Sequence, residues 1–328
     1  MILVTGGTGL VGAHLLLHLA ENEERIRAIY KNPKSIEKTK KLFAIQQKEA
    51  LWNRIEWVEA NIAEVPALEL AFLNITHVYH CAALISFDPK DENQLRKTNI
   101  EGTANIVNLC LAYEVQKLCY VSSIAALGNL AQNETVISET SDWNPEAFHS
   151  DYSITKYGAE LEVWRAYQEG LPIVIVNPGI IFGSTIWEEG SGALIQNARK
   201  GLPFYTYGQT GYVGVEDVAR IMQLLMESAI NGERFCLVAE HLTYKNILEK
   251  IAQKTKSKVP SYYLRPWMTQ LLWRLDWLVA LVFRTKRRLT KDLANSFHTI
   301  DTFSNQKIKN ALNYDFQSID EVLEDILK

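Results

Sequence analysis

Short β-branched runs alternate with longer stretches of helical spacing through the first half of the chain. Ile2-Leu3-Val4, Ile26-Arg27-Ala28-Ile29-Tyr30, Ile55-Glu56-Trp57-Val58, His77-Val78-Tyr79-His80, Lys117-Leu118-Cys119-Tyr120-Val121 and Ile173-Val174-Ile175-Val176 read as strands. Residues 11–20, 95–113 and 152–169 repeat their apolar positions at helical spacing. This alternation predicts an α/β fold: βαβ units with right-handed connections, forming a doubly wound parallel sheet covered by helices on both faces. The regularity fades after Asn177-Pro178-Gly179. A Gly/Ser-rich loop over 183–192, a helical stretch and a second glycine-rich segment over 201–214 follow, then a helix over 215–227 and a last strand, Phe235-Cys236-Leu237-Val238. Beyond 241 the pattern is helical with long loops. The expected division is 1–177 with 213–239 as the sheet domain, and 178–212 with 240–328 as a smaller, mostly helical C-terminal domain.

The turn between the first strand and the first helix carries candidate chemistry. Gly6, Gly9 and Gly12 are spaced G-x-x-G-x-x-G within Thr5-Gly6-Gly7-Thr8-Gly9-Leu10-Val11-Gly12. Glycine permits the tight turn and lets a pyrophosphate approach the main chain, while the helix N-terminus offers free N–H groups. The strand-before, helix-after context makes dinucleotide binding by Thr5, Gly6, Gly9, Leu10, Val11 and Gly12 the favoured reading over an empty βα turn. The second strand ends in Tyr30-Lys31-Asn32-Pro33-Lys34, with no acid to hold a ribose 2′-hydroxyl. A cation there suits a 2′-phosphate, so Lys31 points to NADP rather than NAD; the plain alternative is a solvated basic loop.

Composition narrows the partners. The chain has 328 residues, 47% apolar and 22% charged, with a net charge of −4. That balance is globular, and its mildly acidic sign argues against nucleic acid as the main partner. Cys81, Cys110, Cys119 and Cys236 lack metal-ligand spacing, so no metal is expected. With no signal-peptide pattern ahead of the first strand, a reducing cytoplasm is the expected compartment.

Tyr152 and Lys156 stand four apart in Tyr152-Ser153-Ile154-Thr155-Lys156, on one face of a helix start. A free phenol titrates near about 10, and a neighbouring ammonium favours the phenolate, so the pair can act as a general acid/base. A surface helix pair is the bland alternative. The serine pair in Val121-Ser122-Ser123-Ile124-Ala125 ends a strand at the carboxyl edge of the sheet, where a hydroxyl can meet a substrate oxygen.

Together these features resemble the extended short-chain dehydrogenase/reductase family, within the NAD-dependent epimerase/dehydratase superfamily, over roughly the first 240 residues. Further segments are similar: Glu59-Ala60-Asn61-Ile62 beside the adenine, with Asn61 in place of the usual Asp; His80-Cys81-Ala82-Ala83; Asn99-Ile100-Glu101-Gly102-Thr103; Asn177-Pro178-Gly179; and Val213-Gly214-Val215-Glu216-Asp217-Val218-Ala219. In that last motif Gly214 stands where His or Asp is frequent. The resemblance implies a Rossmann fold and hydride chemistry on a hydroxyl/carbonyl pair. It makes Tyr152 the proton donor, Lys156 its pKa-lowering partner and ribose ligand, and Ser123, by its spacing to Gly128, the catalytic serine rather than Ser122. It also implies cofactor contacts from Asn61, Ile62, Ala82, Ala83, Asn99, Pro178, Gly179 and Ile181, and a homodimer built through the helices at 95–113 and 152–169.

Within the family, Ser123 is followed by Ile124-Ala125 and not by the acid pair of the dehydratases, which argues against dehydration. The missing acid after the second strand argues against an NDP-sugar 4-epimerase with bound NAD, although Arg199, Lys200, Arg220 and Arg265 could serve a diphosphate. The segments 80–87 and 122–128 look most like the dihydroflavonol reductase and 3β-hydroxysteroid dehydrogenase branch. That implies an apolar carbonyl or alcohol substrate, with Ser86, Phe87, Ile181, Trp187 and Tyr205 as candidate pocket residues. A non-catalytic NADP-sensing protein is the reading from a different class.

One segment stands apart. In 267–283 only Thr269, Gln270, Arg274 and Asp276 interrupt the apolar residues, and they are read as not gathering on one face. Arg284, Lys286, Arg287, Arg288 and Lys291 follow without an acid. The commoner fate of such a helix is burial over the pocket or in a subunit interface; the alternative is peripheral membrane contact through 267–291.

Overall fold

The computed structural model describes residues 1–130, 134–184, 191–285, 287 and 289–327. Its strands are β1 (Ile2–Thr5), β2 (Ile26–Tyr30), β3 (Ile55–Glu59), β4 (His77–His80), β5 (Lys117–Val121), β6 (Ile173–Pro178), β7 (Ile180–Phe182), β8 (Phe204–Tyr205), β9 (Gln209–Gly214), β10 (Glu233–Leu237), β11 (Glu240–Thr243) and β12 (Tyr262–Tyr263). Its helices are α1 (Leu10–Asn22), α2 (Pro33–Ile45), α3 (Val65–Phe72), α4 (Glu92–Leu95), α5 (Gly102–Ala112), α6 (Asp151–Gln168), α7 (Ser191–Arg199), α8 (Val215–Glu227), α9 (Tyr244–Thr255), α10 (Pro266–Phe283), α11 (Lys291–Ser296), α12 (Gln306–Leu312) and α13 (Ile319–Leu327).

Seven parallel strands form the main sheet in the order β3-β2-β1-β4-β5-β6-β10. The order reverses between β1 and β4, which opens a crevice at their carboxyl ends. Side chains alternate between the two faces, as a period of two requires. Val4, Tyr79, Cys119 and Val174 enter one core with Leu16 and Leu19 of α1 and Met222 and Leu225 of α8. Their sequence neighbours Leu3, Val78, Leu118 and Ile173 enter the opposite core with Phe72, Ile106, Cys110 and Val163. Every residue of β6 is buried, which explains its unbroken apolar run.

A third core joins Phe182, Ile195, Tyr212, Ile247, Ile251, Ile319 and Leu323. It lies against a three-stranded sheet, β11-β9-β7, that the sequence pattern did not show. The glycine-rich segment over 201–214, where no strand was expected, contains β8 and β9. The helix expected over 95–113 is present: α4 runs without a gap through a π-helical segment, Arg96–Glu101, into α5, which ends at Ala112.

Two histidines one turn apart on α1 tie that helix to α8. His14 and His18 each bond one oxygen of the Glu216 carboxylate. Burial alone would raise the Glu216 pKa, but the two histidine bonds outweigh it and hold the carboxyl well below its usual range. A depressed native pKa contributes stability above the unfolded carboxyl range, and that stability is lost as pH falls through it. Glu216→Gln is therefore expected to cost about 1–2 kcal/mol at pH 7, discounted for the partial exposure of the carboxylate. The difference from the parent protein should shrink below about pH 4. Urea unfolding at the two pH values checks this.

Candidate active site

The glycine turn sits at the sheet's crevice. Gly6 adopts φ +67°, and a Cβ there would lie 2.7 Å from the Ala82 amide nitrogen. Gly9 N–H closes the turn on Gly6 O at 2.9 Å. At Gly12 a Cβ would stand 2.2 Å from the same oxygen, so only glycine lets α1 start this close to β1. Helix α1 has no side-chain cap and no acid in its first turn. Its N–H groups, with Gly9 exposed and Leu10 and Val11 part-exposed beside them, fit a dinucleotide pyrophosphate.

A polar chain crosses the crevice beneath that turn. Thr5 Oγ1 meets His80 Nδ1 at 2.7 Å, and His80 Nε2 meets Thr103 Oγ1 at 3.0 Å. Burial, reinforced by the nearby Lys156 charge, drives the His80 pKa down to about 3, so the ring is neutral. The Ala82 N–H also donates to Thr5 Oγ1, which ties the loop after β4 to β1; Ala83 beyond it is exposed.

Tyr152 and Lys156 rise from the first turns of α6, whose N-terminus Ser150 caps through the Ser153 N–H. Tyr152 is part-exposed toward the Phe87 ring, 5.8 Å away between centroids. Burial pushes its phenol up to about 12, opposed by the Ser123 hydroxyl. Lys156 is fully buried and gives Nζ–H bonds of 2.8 Å to Tyr120 Oη and to Val121 O. Burial brings its ammonium down to about 7, against the raising pull of Glu160 and Cys81. Burial thus governs the Tyr152 phenol, while the Lys156 ammonium bonds Tyr120 and Val121. Lys156 lies one turn deeper and spends its hydrogen bonds on β5.

The two serines separate by strand geometry. Ser122 points inward and donates to Glu160 Oε2 at 2.6 Å. Ser123 points outward beside Tyr152, and its Oγ accepts from the Ala125 N–H at 3.1 Å. Glu160 is buried and also receives bonds from Asn177, Trp164 and Arg234. Neither Tyr120 nor Glu160 was singled out from the sequence. The signal for Glu160 was available, because it continues the four-residue steps of Tyr152 and Lys156.

The remaining candidates divide. Asn99 is buried and braces the Leu84 backbone at 2.7 and 3.0 Å, with Thr155 as a third partner. It shapes the loop beside the site through its π-helical turn. Asn61 accepts from Ala63 N–H and donates to Glu64, so its amide is already engaged in a turn. Ile62 is buried against Gly102. Pro178 ends β6, and Gly179 packs so closely on Gly211 that a Cβ would sit 2.4 Å from the Gly211 oxygen. Ile181 is half-buried on β7, and Lys31 is exposed at the end of β2. The Ser86 hydroxyl is committed to Asp91. Tyr205 belongs to an aromatic cluster with Tyr207 and Tyr263, crossed by the Lys245 ammonium. Trp187 lies outside the described residues. No cluster of His, Cys, Asp or Glu able to hold a metal occurs among the described residues.

The chain matches the model of the NAD dependent epimerase/dehydratase family over residues 2–237. It is 25% identical over 272 residues to sterol demethylase protein B of Methylococcus capsulatus, covering 82% of this chain and 78% of that one. It is 26% identical over 279 residues to dihydroflavonol 4-reductase of Callistephus chinensis, covering 80% and 74%. The fold superposes on yeast methylglyoxal/isovaleraldehyde reductase Gre2, solved with NADPH, at a TM-score of 0.75, 19% identity and coverage of 99% and 96%. The chain belongs to the NAD dependent epimerase/dehydratase family and is an NAD(P)-dependent oxidoreductase of the short-chain dehydrogenase/reductase type.

Proposed function

We propose that this protein is an NADP-dependent carbonyl reductase acting on an apolar substrate. The observation that carries the reading is the convergence of a part-exposed Ser123 hydroxyl, the Tyr152 phenol and buried Lys156 at the carboxyl edge of the sheet. A bound nicotinamide dinucleotide supplies the hydride. Tyr152, protonated at neutral pH, donates its proton to the substrate oxygen, and Ser123 orients that oxygen. Lys156, fixed by Tyr120 and Val121, holds a positive charge behind the phenol and keeps a donor for the ribose. Phe87 gives the cleft an apolar wall. Residues 178–212 and 240–328 are the substrate-selecting part in this reading, and α5 and α6 carry the homodimer contact. Relatives named for flavonoid and sterol substrates support an apolar ligand. The four free thiols fit a cytoplasmic location.

The cofactor preference is tested at Lys31. Lys31→Ala is expected to lower kcat/KM with NADPH by about tenfold and to leave NADH use unchanged, the loss of one charge-assisted phosphate contact. An equal effect on both dinucleotides would refute the NADP assignment.

Lys156 makes the reaction pH-dependent. Tyr152 remains protonated well above neutrality, whereas Lys156 loses its charge as pH rises through about 7. The kcat/KM for the dinucleotide in the reductive direction should therefore fall above that point. Glu160→Gln removes a charge that raises the Lys156 pKa, so the falling limb should move to lower pH. A limb that stays in place would remove Lys156 as its origin.

A further inference from the structure

Helix α10 is turned inside out for a helix in water. The expectation of burial over the pocket fails, because only Thr269 and Ala280 are buried. Three of its four polar residues, Thr269, Gln270 and Asp276, nevertheless face the protein, whereas Arg274 is exposed. Thr269 meets His298 at 2.9 Å, Gln270 donates to Asn295 at 2.8 Å, and Asp276 accepts from the Leu289 N–H at 3.2 Å. On the opposite side Trp267, Leu271, Leu275, Leu278 and Val282 follow one another at helical steps, 63%, 51%, 48%, 50% and 65% exposed. An ordinary surface helix has the reverse arrangement, and a continuous exposed apolar face marks an interaction surface.

Charge and aromatic residues select the partner. Residues 256–291 carry nine Lys and Arg against the single acid Asp276, a local +8 in a chain of net −4. Asp276 is turned toward the protein, while Arg265, Arg274 and Arg284 are exposed near the start, middle and end of the helix. Exposed Tyr262 and Tyr263 immediately precede it, paired with β8 and its exposed Phe204. Apolar side chains at the acyl boundary, aromatic rings at headgroup level and cations on phosphates are the chemistry of an anionic bilayer surface. No helix among the described residues is long and apolar enough to cross a membrane, and the inner face of α10 stays bonded to the protein. A two-fold contact with a second copy would set this cationic patch against itself.

We infer that α10 and its basic flank dock this protein, lying in the plane, on an anionic lipid bilayer. The end of the basic flank lies near the segment that leads into α6. The Lys291 ammonium of α11 lies 5.9 Å from the Phe148 ring centroid, and burial, together with the charge of Asp151, the residue before Tyr152, raises the Asp292 pKa. Docking therefore brings the segment that leads into α6 toward the phase where apolar carbonyl compounds dissolve. That last step rests on the reductase reading; docking itself does not.

The test is flotation of the full-length protein with vesicles of phosphatidylcholine alone and of phosphatidylcholine mixed with phosphatidylglycerol, at low salt. The protein is expected to float with the mixed vesicles only. Leu278→Glu combined with Val282→Glu should weaken binding by about tenfold or more, and Arg284→Gln by about fivefold. The double variant should keep the parent's circular dichroism and its turnover of a water-soluble aldehyde. A parent protein that floats but reduces nothing would leave docking standing and end the reductase reading. No flotation at low salt, or equal flotation by the double variant, overturns docking. So does a parent dimer in light scattering that the double variant converts to monomer, because the face then belongs to a second copy.

Discussion

Tyr152→Phe is expected to cut turnover of a carbonyl substrate by about 10²–10⁴-fold, the contribution of one positioned proton donor. Dinucleotide affinity should hardly change. The phenyl ring keeps its place beside Phe87, and Lys156 is held by Tyr120 and Val121, not by Tyr152. Steady-state rates and a fluorescence titration with NADPH separate the two quantities. Equal turnover in parent and variant would remove Tyr152 from the chemistry. A parallel loss of cofactor affinity would make it a binding residue instead.

Gly12→Ala is expected to have the largest effect at the cofactor turn. The added Cβ would meet Gly6 O at 2.2 Å and Gly6 C at 2.7 Å, both main-chain atoms that cannot swing away. Relief requires α1 to back away from the turn. Overpacking of this kind costs about 1–3 kcal/mol. If the strain falls on the phosphate cradle, NADPH should bind about 5- to 150-fold more weakly. Gly9→Ala provides the internal comparison, because its Cβ would meet Gly6 O at only 3.3 Å. Isothermal titration of both variants decides the point: equal losses would mean that proximity to Gly6 O is not what fixes the turn.

The parallel sheet was legible because its short strand runs alternate with stretches of helical spacing and its first turn is spelled out in glycines. Those signals are local. The buried network is not, since it depends on which strands become neighbours. Tyr120 reads as one more apolar strand residue until β5 lies against β4 and its phenol meets Lys156, with its ring 5.3 Å from that of His80. The Asn99 amide bonds Leu84 and Thr155, a bracing role that the local motif does not reveal. Helix α10 shows the same limit. Thr269 and Asp276 share a helical face in any reading of the spacing, but what that face meets is set by Leu289 and His298. The β11-β9-β7 sheet escaped notice because β9 lies in a glycine-rich segment and its partners are distant in sequence.

The central claim is that this site delivers hydride and proton to a carbonyl group. The most direct measurement supplies NADPH deuterated at the transferable position of the nicotinamide together with apolar ketones and aldehydes, and analyses the products by mass spectrometry. The account predicts an alcohol carrying one deuterium on its carbinol carbon, absent with Tyr152→Phe. Cofactor oxidation without label in any product would contradict it, as would epimerisation of a nucleotide sugar with no net consumption of cofactor.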